Sequence, residues 1–193
     1  MKLLPLTTTE LELAIALVVV LAAVLVAFLW HRKRRTAKLQ TQFGGAEYAR
    51  AIEKGGSRSQ AEAELQERAQ RVEGLRIRPL AAPDRARFSL AWREVQARFV
   101  DGPGGAVMAA DQLLGDVMST RGYPLGGFDQ RAADISVDHP LVLENYRTGH
   151  DIAIRQTRGQ ASTEDLRQAM IHFRTLFEEL VNEPEMPLAK LAS

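Results

Sequence analysis

The sequence LAIALVVVLAAVLVAFLW, from Leu13 to Trp30, decides the architecture of this chain because it contains no charged and no conventionally polar side chain. With Leu11 at its edge, a run of about 20 residues rising ~1.5 Å each crosses the ~30 Å hydrocarbon core of a bilayer. Inside lipid, every backbone N–H and C=O group must bond within the segment, so a lone span is helical. We therefore predict one transmembrane helix over residues 11–30, with the lipid bilayer as its partner.

The charges flanking this run predict its orientation. The N-terminal flank carries Lys2 against Glu10 and Glu12, whereas the C-terminal flank is strongly basic. Because basic residues stay on the cytoplasmic side, we predict a single-pass protein of the bacterial inner (cytoplasmic) membrane, with residues 1–10 outside and the C-terminal domain in the cytoplasm. A cleaved signal peptide fits less well, since its basic residues would precede the apolar run. Anionic lipid headgroups are a second predicted partner, at a membrane-surface site formed by Arg32, Lys33, Arg34, Arg35 and Lys38.

Composition excludes several classes of function for the rest of the chain. The whole sequence has 25 Lys plus Arg and 24 Asp plus Glu, and six of those bases and two of those acids precede Leu39, so the remainder is acidic by three charges. An acidic remainder argues against nucleic acid as a partner, because phosphate binding usually needs a basic surface. The absence of cysteine excludes disulfides, thiolate nucleophiles and thiolate-ligated metals.

We predict that residues 31–74 form a basic juxtamembrane segment and a charged helical linker. Glycine pairs at 44–45 and 55–56 are expected to interrupt helix, and Ser59 with Glu62 has the spacing of a capping box. The sparse apolar residues of this stretch form one narrow helical stripe, which is suited to a partner helix or a coiled-coil seam: Ala61, Leu65, Ala69 and Val72.

We predict that residues 75–183 form a small helical bundle of about four helices, so the expected fold class is all-α. The stretch 75–80 alternates apolar and basic residues before proline, which indicates an extended connector or an isolated strand. Two aromatic-rich stripes at helical spacing then mark the core, and residues 184–193 are expected to be a flexible tail. The stripes consist of Phe88, Trp92, Val95 and Phe99, and of Leu166, Met170, Phe173, Phe177 and Leu180.

Carboxylate and imidazole side chains are concentrated late in the chain. Such groups together bind metals or move protons, but no His-x-x-x-His, Glu-x-x-His or His-Glu-x-x-His spacing places them on one helical face. Asp138 and His139 precede Pro140, where a helix-capping role is the simpler interpretation. We therefore predict no catalytic, cofactor or metal residue, and keep as a weaker polar cluster Asp134, Asp138, His139, His150 and His172.

The region 45–181 resembles an uncharacterised family of bacterial single-pass membrane-anchored helical proteins. Because that family has no assigned activity, the resemblance implies one folded unit and transfers no catalytic residue. The residues that carry it are Phe88, Trp92, Arg93, Gln96, Phe99, Val100, Asp101, Arg121-Gly122-Tyr123-Pro124, Asp134, Val137-Asp138-His139-Pro140, Tyr146-Arg147 and Glu164-Asp165-Leu166-Arg167.

The apolar stripes are sufficient for a helical core, and we find no recognised set of catalytic residues. We therefore predict a non-enzymatic interaction or adaptor module held at the membrane. One alternative is a membrane-anchored enzyme or metal-binding domain, which requires at least three members of the polar cluster to meet at one cavity. Another is a small structural subunit of an envelope complex, which would associate through the stripe from Ala61 to Val72.

Overall fold

The computed structural model describes residues 8–182, with side chains from residue 16 onward; the predicted tail at 184–193 and most of the predicted external N-terminus lie outside this range. The described residues form seven helices and no strand, which confirms the all-α prediction. The helices are α1 (Thr8–Gly55), α2 (Arg58–Glu73), α3 (Ala82–Arg98), α4 (Pro103–Arg121), α5 (Phe128–Asp138), α6 (Pro140–Thr157) and α7 (Thr163–Asn182).

Helix α1 joins the apolar run to the folded part of the chain. The segment around Leu17–Trp30 keeps its side chains exposed and is long and apolar enough to cross a membrane. At Gly44 the backbone leaves helical geometry, with φ 67° and ψ 163°, and the chain bends sharply. Since that φ is in the left-handed region, glycine suits the bend. The predicted interruptions are therefore a bend at Gly44 and a helix end at Gly55.

Residues 31–74, assigned to a linker by sequence, form a packed hairpin of α1 and α2. Phe43, Ala61 and Leu65 are fully buried there, and Val137 of α5 joins the same cluster. The apolar stripe predicted for a partner helix is thus covered mainly by α1 of the same chain. That leaves little of it through which this chain could associate, as a subunit, with an envelope complex.

The predicted capping box at the start of α2 is wrong. Ser57 is the N-cap, and its hydroxyl accepts a hydrogen bond from the backbone N–H of Gln60 at 3.2 Å. Glu62 is instead buried and accepts hydrogen bonds from Thr36 at 2.8 Å and Tyr48 at 2.7 Å. Glu62 therefore ties α2 to both arms of α1, a role that local spacing does not reveal.

Helices α3 to α7 make the bundle, and α7 is its central helix. The ring of Phe177 stacks on Trp92 of α3 with centroids 4.7 Å apart. Both predicted stripes face the core, although Phe99 and Met170 are only partly buried. The structure has five helices here; α5 is the addition to the expected four.

The connector 75–81 is irregular and lies against the end of α4. The backbone N–H of Arg78 donates to the carbonyl of Arg121 at 2.9 Å, and Leu80 is buried. Gly122 has φ +106°, and a Cβ atom there would lie 2.6 Å from the carbonyl oxygen of Arg76. This close approach fixes the connector against the end of α4, and a groove remains between the connector and the hairpin.

Candidate functional site

A groove of about 1080 Å³ separates the hairpin from the bundle. One wall is the outer part of α1, with Lys38 and Thr41, and α2 adds Val72. The opposite wall contains Arg78 of the connector and His139 at the junction of α5 and α6. Apolar, cationic and acidic groups therefore share one lining, since Glu73 and Asp138 also belong to it.

Arg121 lies beneath this groove with only 1% of its surface exposed. Its Nη1 donates to the carbonyl oxygen of Leu180 on α7 at 3.1 Å. Burial lowers the pKa of Arg121, and the nearby Tyr123, Asp138 and Glu179 oppose that shift. A guanidinium stays charged even so, so the groove has a fixed positive charge at its base.

Asp138 is held at the groove edge by Tyr123. The tyrosine hydroxyl donates to Oδ2 of Asp138 at 3.0 Å. Burial and the adjacent Asp138 carboxylate raise the pKa of Tyr123 far above its usual value, so the hydroxyl remains a donor. This pair orients the carboxylate.

His139 occupies the N-cap position of α6, as predicted, but its side chain does not cap the helix. His139 ends α5 and starts α6 without any side-chain capping hydrogen bond. Its ring is buried, and Nδ1 lies 3.2 Å from Oε1 of Glu179 on α7. Burial lowers the pKa of His139, the Arg121 cation lowers it further, and Glu179 and Asp138 partly offset both. His139 therefore links the α5–α6 junction to α7 in its neutral form.

This buried histidine predicts an acid sensitivity of the fold. Below pH ~6.5 the unfolded chain accepts a proton that folded His139 resists, so its stabilising contribution is complete above that pH and is lost as pH falls. We expect the thermal midpoint of the full chain in detergent to fall between about pH 7 and pH 5, and His139→Gln to reduce that fall. His172→Gln is the matched control and should keep it. An unchanged fall in His139→Gln would contradict this origin.

Asp134 is completely buried and serves as a clamp between helices. Its Oδ1 accepts bonds from Nη2 of Arg71 at 2.7 Å and from Gln130 at 2.9 Å. Arg71 belongs to α2 and Asp134 to α5, so the pair joins the hairpin to the bundle. Its hydrogen bonds to Arg71 and Gln130 hold helices together and leave no oxygen directed into the groove.

His150 and His172 lie at other places in the bundle. The ring of His150 stacks on Phe128 at 3.6 Å between centroids and faces Asp111, whereas His172 contacts Asn145 at 2.8 Å. Of the five residues in the predicted polar cluster, only Asp138 and His139 line the groove. The described part of the chain contains no group of three His, Asp or Glu side chains placed to hold a metal ion.

The basic membrane-surface residues project from α1 directly beyond the apolar run. All five are exposed, and the guanidinium of Arg34 lies 3.4 Å from the centroid of the Trp30 ring. They therefore lie, with Trp30, at the end of the segment that is long and apolar enough to cross a membrane.

Sequence reasoning missed the ion-pair centre at Glu47. This buried carboxylate accepts bonds from Arg68 of α2 at 2.8 Å and from Arg147 of α6 at 2.9 Å. Arg147 is 100 positions away in the sequence, so no short motif signals the contact. The one signal in the sequence was the acidic Glu47 itself, in a stretch whose apolar residues follow no strong helical spacing.

No family model, curated protein or solved structure matches this chain. Function is therefore inferred from the geometry of the groove and of α1.

Proposed function

We propose that this protein is a membrane-tethered, non-enzymatic interaction module of the bacterial inner membrane, with its groove on the cytoplasmic side. The observation that carries the proposal is the continuity of α1. The same helix contains the apolar run and, without a break before Gly44, supplies Lys38 and Thr41 to the groove wall. A groove built this way has a fixed relation to the bilayer.

The height of the groove suits a neighbouring membrane protein. Ala37 and Gln42, which both line it, lie ~10 and ~18 Å beyond Trp30 along a straight helix. A juxtamembrane segment of a second membrane protein passes at this height. Confining both proteins to one surface raises their effective concentration, so a modest intrinsic affinity suffices.

The titratable groups of the groove support binding over catalysis. Asp138 accepts from the Tyr123 hydroxyl, and His139 is buried against Glu179. General acid–base catalysis needs a group that reaches a substrate proton. Here His139 is buried and one carboxylate oxygen of the exposed Asp138 is bound by the Tyr123 hydroxyl, whereas the exposed Lys38 and Arg78 can meet a ligand directly.

Site-specific photo-crosslinking tests the groove. A photoreactive amino acid replaces Thr41 or Arg78 in the full-length chain in living cells, and Arg174 on the exposed face of α7 is the matched control. We expect the two groove positions to capture the same membrane protein and Arg174 not to capture it. Capture of nothing by either groove position, or equal capture at Arg174, would contradict the proposal.

Orientation and the metal alternative are tested with the same chain. Because the chain contains no cysteine, Gln160→Cys provides a unique thiol on an exposed turn. If the domain is cytoplasmic, a membrane-impermeant maleimide should label this cysteine only after the cells are permeabilised. Labelling of intact cells would show the opposite orientation.

Stoichiometric metal in the purified sample would favour the enzyme or metal-binding alternative.

A further inference from the structure

A second recess lies between α1 and α2, directly beyond the apolar run. Its volume is about 520 Å³. We call it the headgroup cleft, and its polar lining includes His31, Arg34, Arg35 and Lys38 on α1, and Gln66 and Gln70 on α2.

Two cations of this cleft differ from the arginines that hold the hairpin to the bundle or to itself. Arg68, Arg71 and Arg147 are each paired with a carboxylate at 2.9 Å or less. Within residues 16–182, Arg35 and Lys38 have no ion pair or hydrogen bond. Glu73 is the one acid in the cleft lining, so the cleft retains an excess of positive charge.

The α2 wall supplies neutral groups that suit the same anion. Gln66 Oε1 is buried and has no hydrogen-bond partner among the described residues. Because Gln66 lines the cleft, rotation of its side chain towards a bound anion would bring the NH₂ donors of this amide to it. Gln70, one turn later and exposed, contributes a second amide. Guanidinium, ammonium and amide donors together match the unesterified oxygens of a phosphodiester.

The position of the cleft identifies the source of that phosphodiester. Along α1, His31 to Arg35 lie ~2 to ~8 Å beyond Trp30, which is the depth of the headgroup layer outside the hydrocarbon core. Lys38 lies at ~12 Å and reaches back along its flexible stem. A lipid in the adjacent leaflet therefore meets the cleft without leaving the bilayer.

We propose that the headgroup cleft is a specific binding site for the phosphate of an anionic phospholipid. The proposal rests on the membrane tether of the proposed function, but not on the groove or its partner. It goes beyond attraction to a basic flank because α2 contributes a wall that carries no charge at Gln66 and Gln70. Lipid bound there contacts both helices and holds the hairpin against the membrane surface.

Tryptophan quenching measures this binding in the full-length chain. The protein is reconstituted into vesicles of phosphatidylcholine and phosphatidylglycerol, with bromine on the acyl chains of one lipid at a time. Trp30 is exposed at the boundary, whereas Trp92 is buried in the bundle and gives a constant background. We expect Trp30 to be quenched more strongly by brominated phosphatidylglycerol.

Variants distinguish a cleft from a basic flank. Gln70→Ala leaves the net charge unchanged and, because Gln70 is exposed, keeps the fold; we expect it to reduce the preference for phosphatidylglycerol about fivefold. Gln66→Ala should act in the same way, and Lys38→Gln should lose about fivefold. Lys33→Gln is the control, since Lys33 belongs to the basic stretch but does not line the cleft.

Each remaining outcome overturns a defined claim. Full preference in Gln70→Ala, with equal losses in Lys33→Gln and Lys38→Gln, would reduce the cleft to a non-specific basic flank. Loss of the preference on adding inorganic phosphate would make it a free-phosphate site. Equal quenching by both lipids would overturn this inference alone. Absence of Trp30 quenching by either lipid would overturn the membrane tether and the proposed function with it.

Discussion

Replacing Glu47 by glutamine should lower the thermal midpoint of the full chain in detergent by roughly 6 to 12 °C. Glu47 is buried, and its carboxylate lies between the guanidinium groups of Arg68 and Arg147. Removing one member of a buried ion pair costs ~3 to 5 kcal/mol because the partner charge stays desolvated. Arg68 keeps Glu64 as a second partner, so the lower end, about 3 kcal/mol, is expected.

The matched control for this variant is an exposed ion pair between α1 and α6, two of the three helices that meet at Glu47. Arg50 of α1 and Glu144 of α6 form a 2.6 Å ion pair whose side chains are 40% and 60% exposed. Exposed pairs contribute up to about 1 kcal/mol, so Glu144→Gln should shift the midpoint by no more than about 4 °C. Circular dichroism at fixed detergent concentration measures both variants. Equal shifts would show that the buried centre does not hold the hairpin to the bundle.

The parts of the fold that were predictable are those with a strong local pattern. The apolar run to Trp30 and the stripe of α7, with Phe173 and Phe177, each occupy one continuous stretch of sequence. The run is apolar on every side of its helix and stays exposed, whereas the α7 stripe occupies one helical face, whose burial is almost forced by its composition. These elements therefore appear in the structure much as the sequence indicates.

The hairpin was missed because its determinants are not local. Sequence spacing placed Glu62 in a capping box, whereas the bend at Gly44 brings Thr36 and Tyr48 to its carboxylate. The direction of that bend depends on packing and cannot be read from a glycine pair. A charged, alanine-rich helix looks like a linker until its few apolar residues meet the other arm.

The candidate site was only partly foreseen for the same reason. Proximity in sequence suggested that Asp134, Asp138 and His139 belong together. Asp134, however, lies one helical turn before Asp138 and outside the groove, where Arg71 binds its carboxylate. The groove itself arises where the connector meets α1, and Arg78 entered no sequence motif. The site forms where segments distant in the sequence come together, and such contacts cannot be predicted from the local patterns of one sequence.

The crossing of α6 and α7 provides the second large effect. Phe173 is fully buried, and a Cβ atom added to Gly149 of α6 would lie 2.6 Å from its Cε1 atom. Truncating a buried phenylalanine costs ~3 to 5 kcal/mol, so Phe173→Ala should lower the midpoint by roughly 6 to 20 °C. Gly149→Ala alone should cost ~1 to 3 kcal/mol, because the enclosed ring cannot move aside.

The two substitutions should not be additive. In the Phe173→Ala background the ring is gone, and the methyl group of Gly149→Ala enters the vacated space, so the second change should be nearly neutral or stabilising. The expected coupling in a double-mutant cycle is ~1 to 3 kcal/mol. Gly105→Ala is the control, because no atom lies within 4 Å of its added Cβ and alanine favours helix; it should raise the midpoint slightly. Additive losses would mean that the close contact between α6 and α7 is not what requires glycine at position 149.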